Sequence, residues 1–513
     1  MNDRGLTRRE MLQRGGIAAA AAGGLTLAGR GGYAWPRPAW AAADTPAASG
    51  SNGVLHFVSR PDLTPPAVTI AHHGPTPANP PYFILTPAGY LHAGPGVPGL
   101  MILAVNGNLV WYSPNTGFPA SAGMARVDLK VQSYRRQPVL TWWEGRVIRG
   151  TGIGKAVIAN SSYQTVATVK GGHGLAADLH EFVISPHNTA LITANRPMQA
   201  NLSKLGGPAK GTVLSGTVQE IDIPSGRVLF QWDSLNHVPV TDTYQAFYGG
   251  TAANPFDYFH INSINVMADG NLLVSARNTC AVYKISRRGG QVMWRLGGKR
   301  SSFRMGRGTT FWWQHHAHAQ NANIVSLFDD GASPAKEAQS RGILLDLDTT
   351  AMRATLRASY THSARLLAAN QGSMQVLPDG RVLVGWGNLP YFSEYTRDGK
   401  LIMDGRFPAG DQSYRAFTSY WTGHPTDKPA VAARVNPAGG SVVYASWNGA
   451  TQVASWTVLA GSTARALAKA GSQRYGNFET AITVRADGPY FAVTANDAHG
   501  HVLGRSATVR RQK

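Results

Sequence analysis

One pattern recurs along this chain and constrains its fold more than any other feature. A polar residue leads a short strand, then a turn carrying Asp, Asn or Gly, then a second strand of aliphatics. It reads DLHEFVISPHNTALITA from Asp178, FHINSINVMADGNLLVSA from Phe259 and QGSMQVLPDGRVLVGWG from Gln371, with a shortened copy, QHHAHAQNANIVSLFDD, from Gln314. Earlier copies are GLMILAVNGNLVWYSP from Gly99 and VQSYRRQPVLTWWEG from Val131. Alternating apolar strands joined by Asn-Gly or Asp-Gly turns are hairpins. A second element, a Gly turn followed by a strand ending in Trp, comes after several of them, as in IPSGRVLFQW from Ile223 and SRRGGQVMWRLGG from Ser286. Four short strands per unit, repeated about every 50 residues, predict a β-propeller of about six blades. The blades are expected over residues 52–424, with a Gly/Asn-rich insertion around 235–256 lying over one face.

Composition supports an all-β chain. Of 513 residues, 43% are hydrophobic, only 15% are charged and 58 are Gly, which suits strands and turns rather than amphipathic helices. The pattern changes at HPTDKPA. Beyond it, ARVNPAGGSVVYASWNGATQVASWTVLAG and YFAVTANDAHGHVLG alternate cleanly with period two. That predicts a small C-terminal β-sandwich, fibronectin type III-like or Ig-like, over residues 427–513.

The N-terminus carries an address. TRREMLQRGG pairs Arg8 with Arg9, an apolar stretch runs from Ile17 to Ala28, and AWAAAD offers an Ala-x-Ala cleavage site near Ala43. Residues 1–43 therefore read as a twin-arginine signal peptide, which implies the twin-arginine export machinery as a partner and an extracellular or cell-envelope destination. The apolar stretch is too short and too interrupted by Gly for a stable membrane span. The formal charge is +20; the leader contributes six Arg against Asp3 and Glu10, leaving +16. No dense Lys/Arg run accompanies that charge, so no nucleic-acid partner is expected, and a basic mouth that attracts an anionic small molecule is the functional reading. The one cysteine, Cys280, has no partner for an intramolecular disulfide and reads as a small buried residue in a strand.

Chemistry should sit where blades meet. If His180, His260 and His315 open the innermost strands of successive blades, they share one rim of a central channel. Arg277 ends the second strand of its hairpin and is returned to the same face as His260. The clustered histidines of FWWQHHAHAQ (His315, His316 and His318) invite a metal. Strand alternation, however, points His315 and His316 to opposite faces, so a metal would need His316 with His318 and ligands from elsewhere. The chain has no GxSxG, GxxxxGK[ST] or HExxH segment, and one Cys excludes a thiolate zinc site. Carboxylates near the histidines are few (Asp178, Glu181 and Asp257), which argues against a glycosidase pair. No metal site and no cofactor are assigned. A metal- or quinone-dependent propeller oxidoreductase and a non-catalytic anion-binding surface propeller stay open as alternatives.

The segments DLHEFVIS, VQEIDIPSGRVLFQW, PFDYFHINSI, LLVSARNTCAVYKI, WRLGGKRSSFRMG, WWQH, QSRG, PYFSEY and SRPDLTPP together resemble the bacterial arylsulfotransferase family over nearly the whole mature chain. The resemblance implies transfer of a sulfuryl group from a phenolic sulfate ester to a phenolic acceptor, without adenosine phosphosulfate. It also implies a six-bladed propeller and a covalent sulfohistidine in a ping-pong cycle. By the same resemblance His315 is the nucleophile, with His260, Arg277 and His180 as catalytic partners. Asn262 and Asn278 assist, and Tyr258 and Trp313, with Trp312 and Phe259, offer rings to the aryl group. Similar chains continue Gln-His-Asp-Ala, whereas this one has Gln314-His315-His316-Ala317.

Overall fold

The computed structural model describes residues 52–74, 81–87, 94–118 and 122–513; the signal-peptide expectation for residues 1–43 lies outside them. The hairpin signals become strands where they were expected. FHINSINVMADGNLLVSA forms Ile261–Val266 and Leu272–Ala276, joined through Gly270 at φ 78°, a left-handed conformation that a side chain would strain. Helix among the described residues is confined to short 3-10 turns such as Ser234–Asn236 and Val240–Asp242.

The strands assemble into separate sheets of three to five, and none closes on itself. Between Thr69 and Ser419 there are six. Five have a four-strand meander of consecutive strands at their centre. Three are Met124–Tyr134 to Thr165–Val169, Phe182–Ile184 to Val228–Asp233, and Ile261–Val266 to Val292–Gly297. A fourth, His315–Asn321 to Arg353–Tyr360, adds Arg304–Met305 in parallel, and a fifth, Ser373–Val376 to Leu401–Arg406, adds Thr69–His72 at its edge. The sixth joins chain ends: Ser413–Ser419 pairs antiparallel with Tyr82–Pro87, ahead of Gly99–Leu103 and Leu109–Pro114.

Buried tryptophans stitch neighbouring units. Trp143 Nε1 donates to the Ala177 carbonyl at 2.9 Å, and Trp232 Nε1 to the Gly290 carbonyl at 3.0 Å, so each ring is packed and its one polar atom is satisfied. Two further sheets lie beyond residue 430. One is Ala430–Val435, Ser441–Ser446 and Glu479–Val484, and the other is built around Ser455–Gly461 and Tyr490–Asn496. They share an apolar cluster centred on Trp456, Val458, Val493 and Ile482. This region is tied to the first part of the chain, with Phe57 and Phe478 4.5 Å apart and Asn448 bonded to both backbone groups of Tyr112.

Two local expectations change. Cys280 sits at φ 47° in the turn between Leu272–Ala276 and Ala281–Ile285, not in a strand; it is buried as expected, and burial pushes its thiol up to about 12. Simple alternation does not separate His315 from His316. His316 is itself left-handed (φ 51°) and the register slips between His315 and His318, so a backbone irregularity divides the two rings.

Candidate functional site

His315 opens the strand His315–Asn321 and lies opposite Phe328 on Ile324–Asp329. The residue just past that partner strand is therefore returned to His315. It is Asp330, whose Oδ2 lies 2.8 Å from His315 Nδ1 with both side chains buried. On the other edge of the ring, the Gln371 backbone N–H approaches Nε2 at 3.3 Å. A nitrogen that accepts from an N–H carries a lone pair, so the proton belongs on Nδ1, where it donates to Asp330. The imidazole is thus held in the tautomer whose lone pair is on Nε2, where the Gln371 N–H approaches it.

The same device appears twice more. His260 Nδ1 lies 2.5 Å from Asp257 Oδ2, and its backbone N–H donates to the other oxygen at 2.9 Å. His180 pairs through Nδ1 with Asp178, which is fixed in turn by the Gly152 N–H and Asn195 Nδ2. The His180 and His260 rings meet edge to face, 4.8 Å apart. His260 and the residues Trp313 and Gln371, which flank the His315 site, all have left-handed backbone (φ 53°, 60° and 69°), a concentration of strain typical of functional loops.

Arg277 follows Leu272–Ala276, and its N–H donates to the His260 carbonyl at 3.0 Å, so the hairpin does bring it back beside His260. Its guanidinium lies over the Trp313 ring at 5.0 Å and donates to Asn278 Oδ1 (3.0 Å), the Ala369 carbonyl (3.2 Å) and the Ser333 carbonyl (3.4 Å). Asn278 braces the Asp257 loop through its Nδ2 and the Asp257 carbonyl, 2.7 Å apart. Asn262 donates to the Gln314 carbonyl at 2.6 Å, immediately before His315.

Three expected ring contacts are not available. Tyr258 is fully buried and its hydroxyl is spent on Ser234 Oγ and the Val238 carbonyl, so it packs the sheet. Trp313 is also buried, with one face under Arg277 and Nε1 on the Pro334 carbonyl. It supports the arginine rather than stacking on a substrate, and Phe259 is equally buried. Trp312 is the partly exposed member of the group.

Burial is the first cause holding His315 well below the usual histidine range; the charges of Arg277, His180, His260 and Arg415 follow. His260 is lowered too, chiefly by burial and against the pull of Asp257. Burial pushes the Asp330 carboxyl up, while Arg277 opposes that shift. Arg277 thus disfavours the imidazolium at His315 and draws Asp330 toward the carboxylate, but at Asp330 burial, with Asp329 beside it, outweighs that pull.

Several buried polar atoms here have no protein partner: Asn262 Oδ1, Gln314 Oε1, Asp330 Oδ1, Asn370 Oδ1, Gln371 Nε2 and Arg415 Nε. They belong to residues bonded or adjacent to those that touch His315, which concentrates unspent hydrogen-bonding capacity at this centre.

Arg415 was not foreseen from the sequence. Its side chain is 1% exposed and bonds Glu181 (3.0 Å), Asp128 (3.2 Å) and the carbonyls of His180 (2.9 Å) and Asn262 (2.8 Å). Lys130 completes the network by pairing with Asp128 at 2.8 Å and with Glu181. Asp330 was missed as well; its only sequence signal is the acidic pair ending SLFDD, one hairpin after the histidine. His316 and His318 look elsewhere, their rings 6.2 Å from each other, with His316 on the backbone of Met374 and His318 on Asn265. Among the described residues no three His, Cys, Asp or Glu side chains converge closely enough to hold a metal ion.

Fold and site together define an all-β protein with an imidazole–guanidinium centre assembled from adjacent sheets. Residues 130–408, more than half of the chain and including His180, His260, Arg277, His315 and Asp330, match the family model described as Arylsulfotransferase (ASST), and the chain belongs to that family. Membership makes it an aryl sulfotransferase in general terms. No curated protein matches it. Among solved structures, one of a Bacteroides caccae protein of unknown function is 11% identical, covering 66% of this chain and 99% of its own, at a TM-score of 0.40. A catalytically inactive virginiamycin B lyase from Staphylococcus aureus with quinupristin is 10% identical over 66% and 88%, at 0.34. A Lactobacillus plantarum protein is 12% identical over 84% and 97%, at 0.35.

Proposed function

We propose that this aryl sulfotransferase works in two displacement steps through His315, taking the sulfuryl group from a phenolic sulfate ester and passing it to a phenolic acceptor without adenosine phosphosulfate. The observation that carries this reading is the His315 tautomer, with Nδ1–H on Asp330 and the lone pair on Nε2, in a ring whose proton affinity is lowered by the nearby Arg277, His180 and His260. In the first step Nε2 bonds to sulfur as the sulfur–oxygen ester bond breaks, and the departing phenolate receives a proton through His180 or His260. The sulfonated ring then carries positive charge, which the Asp330 carboxylate offsets. In the second step the acceptor phenol surrenders its proton to the same imidazole pair, its oxygen bonds to sulfur, and Nε2 leaves with its electron pair. Arg277 and the imidazole N–H groups stabilise the negative charge that builds on the non-bridging oxygens. Asn262 and Asn278 position the backbone of the nucleophile and of the His260 loop.

The architecture fits this role. Five meanders and a sixth sheet, in which Ser413–Ser419 pairs with Tyr82–Pro87 across the ends of the segment, support reading residues 52–424 as a six-bladed propeller whose inner strands meet at one mouth. The separate apolar cluster around Trp456 supports a β-sandwich over residues 427–513. The paired Arg8 and Arg9 support export through the twin-arginine pathway to the cell envelope or beyond. No helix among the described residues is long and apolar enough to cross a membrane.

The test uses chelator-treated protein, p-nitrophenyl sulfate and phenol. Release of p-nitrophenol with matching formation of phenyl sulfate, and a mass-shifted peptide containing His315 when the acceptor is omitted, are expected. An absence of turnover with aryl sulfates would overturn the reading, and full activity in His315→Ala would overturn the nucleophile.

A further inference from the structure

Outward from Arg277 lies a ledge that the transfer step does not use. Tyr244 and Trp312 meet edge to face with centroids 5.0 Å apart. Lys299 holds its ammonium 5.0 Å over the Tyr244 ring, and Lys336 holds its own 5.3 Å over Trp312. Both lysines are exposed, and both rings partly so. Their positions are built. Lys299 Nζ donates to the carbonyls of Thr241 (2.9 Å) and Thr243 (2.6 Å), and Tyr244 is fixed by its N–H on the Asn278 carbonyl at 2.7 Å. The Lys336 loop is anchored by N–H groups on the Gly331 carbonyl, and the same loop supplies the Ser333 and Pro334 carbonyls that hold Arg277 and Trp313. Each ammonium is therefore one short backbone link from the catalytic arginine or its supporting tryptophan.

Charge pairing separates these lysines from their neighbours. Arg300 is matched by Asp242 at 2.8 Å, and Arg341 by Asp329 and Glu337. Among the described residues no carboxylate forms an ion pair with Lys299 or Lys336; Lys336 lies over a ring face, and Lys299 over a ring face and on two carbonyls, feeling at longer range the Asp242 carboxylate that Arg300 pairs. Ring faces orient an ammonium without neutralising it, which keeps its charge available to an incoming anion.

We propose that this ledge receives a second anionic group on the aryl substrate, a carboxylate, phosphonate or phosphate set away from the reacting oxygen. The site then selects phenols that carry their own negative charge. This rests on the sulfuryl-transfer reading of the same mouth and adds its substrate class.

The experiment compares 4-hydroxybenzylphosphonate with the neutral 4-ethylphenol as acceptors from p-nitrophenyl sulfate, and measures binding of both by calorimetry. At low salt the wild type is expected to favour the phosphonate in kcat/KM by about 10-fold, and to lose most of that advantage at 0.5 M salt through screening. In a Lys299→Met/Lys336→Met double variant the ratio is expected to fall to about 1. A ratio near 1 in wild type, a ratio insensitive to salt, or one retained in the double variant would each overturn the ledge while leaving the transfer reading intact. If no aryl sulfate is turned over, the transfer reading fails, and calorimetry still decides the ledge. Tighter binding of the phosphonate by about 10-fold supports it, and equal binding overturns it.

Discussion

His315 and His316 are neighbours in sequence, both buried and both held below the usual histidine range by burial, yet the structure puts them to different uses. His315 has Asp330 on Nδ1, a lone pair on Nε2 and two arginines, Arg277 and Arg415, near enough to bear on its charge. His316 has one backbone residue, Met374, against Nδ1 and the Phe417 ring at 5.4 Å. Burial alone makes a neutral imidazole. A nucleophile also needs its proton held on the far nitrogen and a charge to answer the one it acquires, and only His315 has both.

The largest expected effect comes from removing the proposed nucleophile. His315→Ala should lower aryl-sulfate turnover by about 10,000-fold or to background, since the proposed covalent step loses its nucleophile. His316→Ala, which leaves the Asp330 pairing untouched, should stay within about 10-fold of wild type in kcat. Equal losses in the two variants would erase the difference between the two histidines.

Asp330→Asn is the next cut. An amide donating to Nδ1 would move the ring proton to Nε2, so kcat should fall by about 1,000-fold with KM little changed, while Asp330→Glu recovers part of the loss. A change confined to KM, or an equal loss of folding stability in both variants, would mean that Asp330 is structural only.

How far this contrast was readable from sequence depends on how local its causes are. Hairpins were legible because period-two alternation and Asp-Gly turns act over a few residues, as at Ile261–Val266. His180, His260 and Arg277 were legible once those hairpins were aligned, since the Asp partners of both histidines lie two and three residues away in the same loop. The copy that begins at Val131 shows the limit of such an alignment, at Gln132. That residue sits well inside Met124–Tyr134, bridging to Thr141 and to the Phe182 carbonyl, while Asp128 takes the left-handed position; a register slip between Val127 and Lys130 hides this in the sequence. Asp330 depends on cross-strand register, and Arg415 arrives on a strand that pairs with the start of the chain. Neither has a local signal.

The acid limb of the pH profile tests burial as a cause. Protonating His315 removes its lone pair, and its proton affinity in the folded protein is lowered, so kcat/KM should hold as pH falls through the usual histidine range near 6.5 and decline only below it. A limb centred at or above about 6.5 would mean that water reaches the ring.

The smallest effect is on stability at His316, where the comparison can be made without catalysis. The folded state disfavours the imidazolium here, mainly through burial and then Arg415, so below about pH 6.5 the unfolded chain binds a proton that the folded chain refuses. Stability contributed at this position is therefore complete above that range and lost as pH falls through it. Gln in place of His316 offers an amide N–H to the Met374 carbonyl and an oxygen to its N–H, but takes up no proton. Denaturant unfolding at pH 7.5 and 5.5 should show wild type losing about 1 kcal/mol more than His316→Gln over that interval, with sulfuryl transfer within about 3-fold at pH 7.5. An unchanged difference between the two proteins would mean that His316 is protonated in the fold, and that the two neighbours differ in charge as well as in partners.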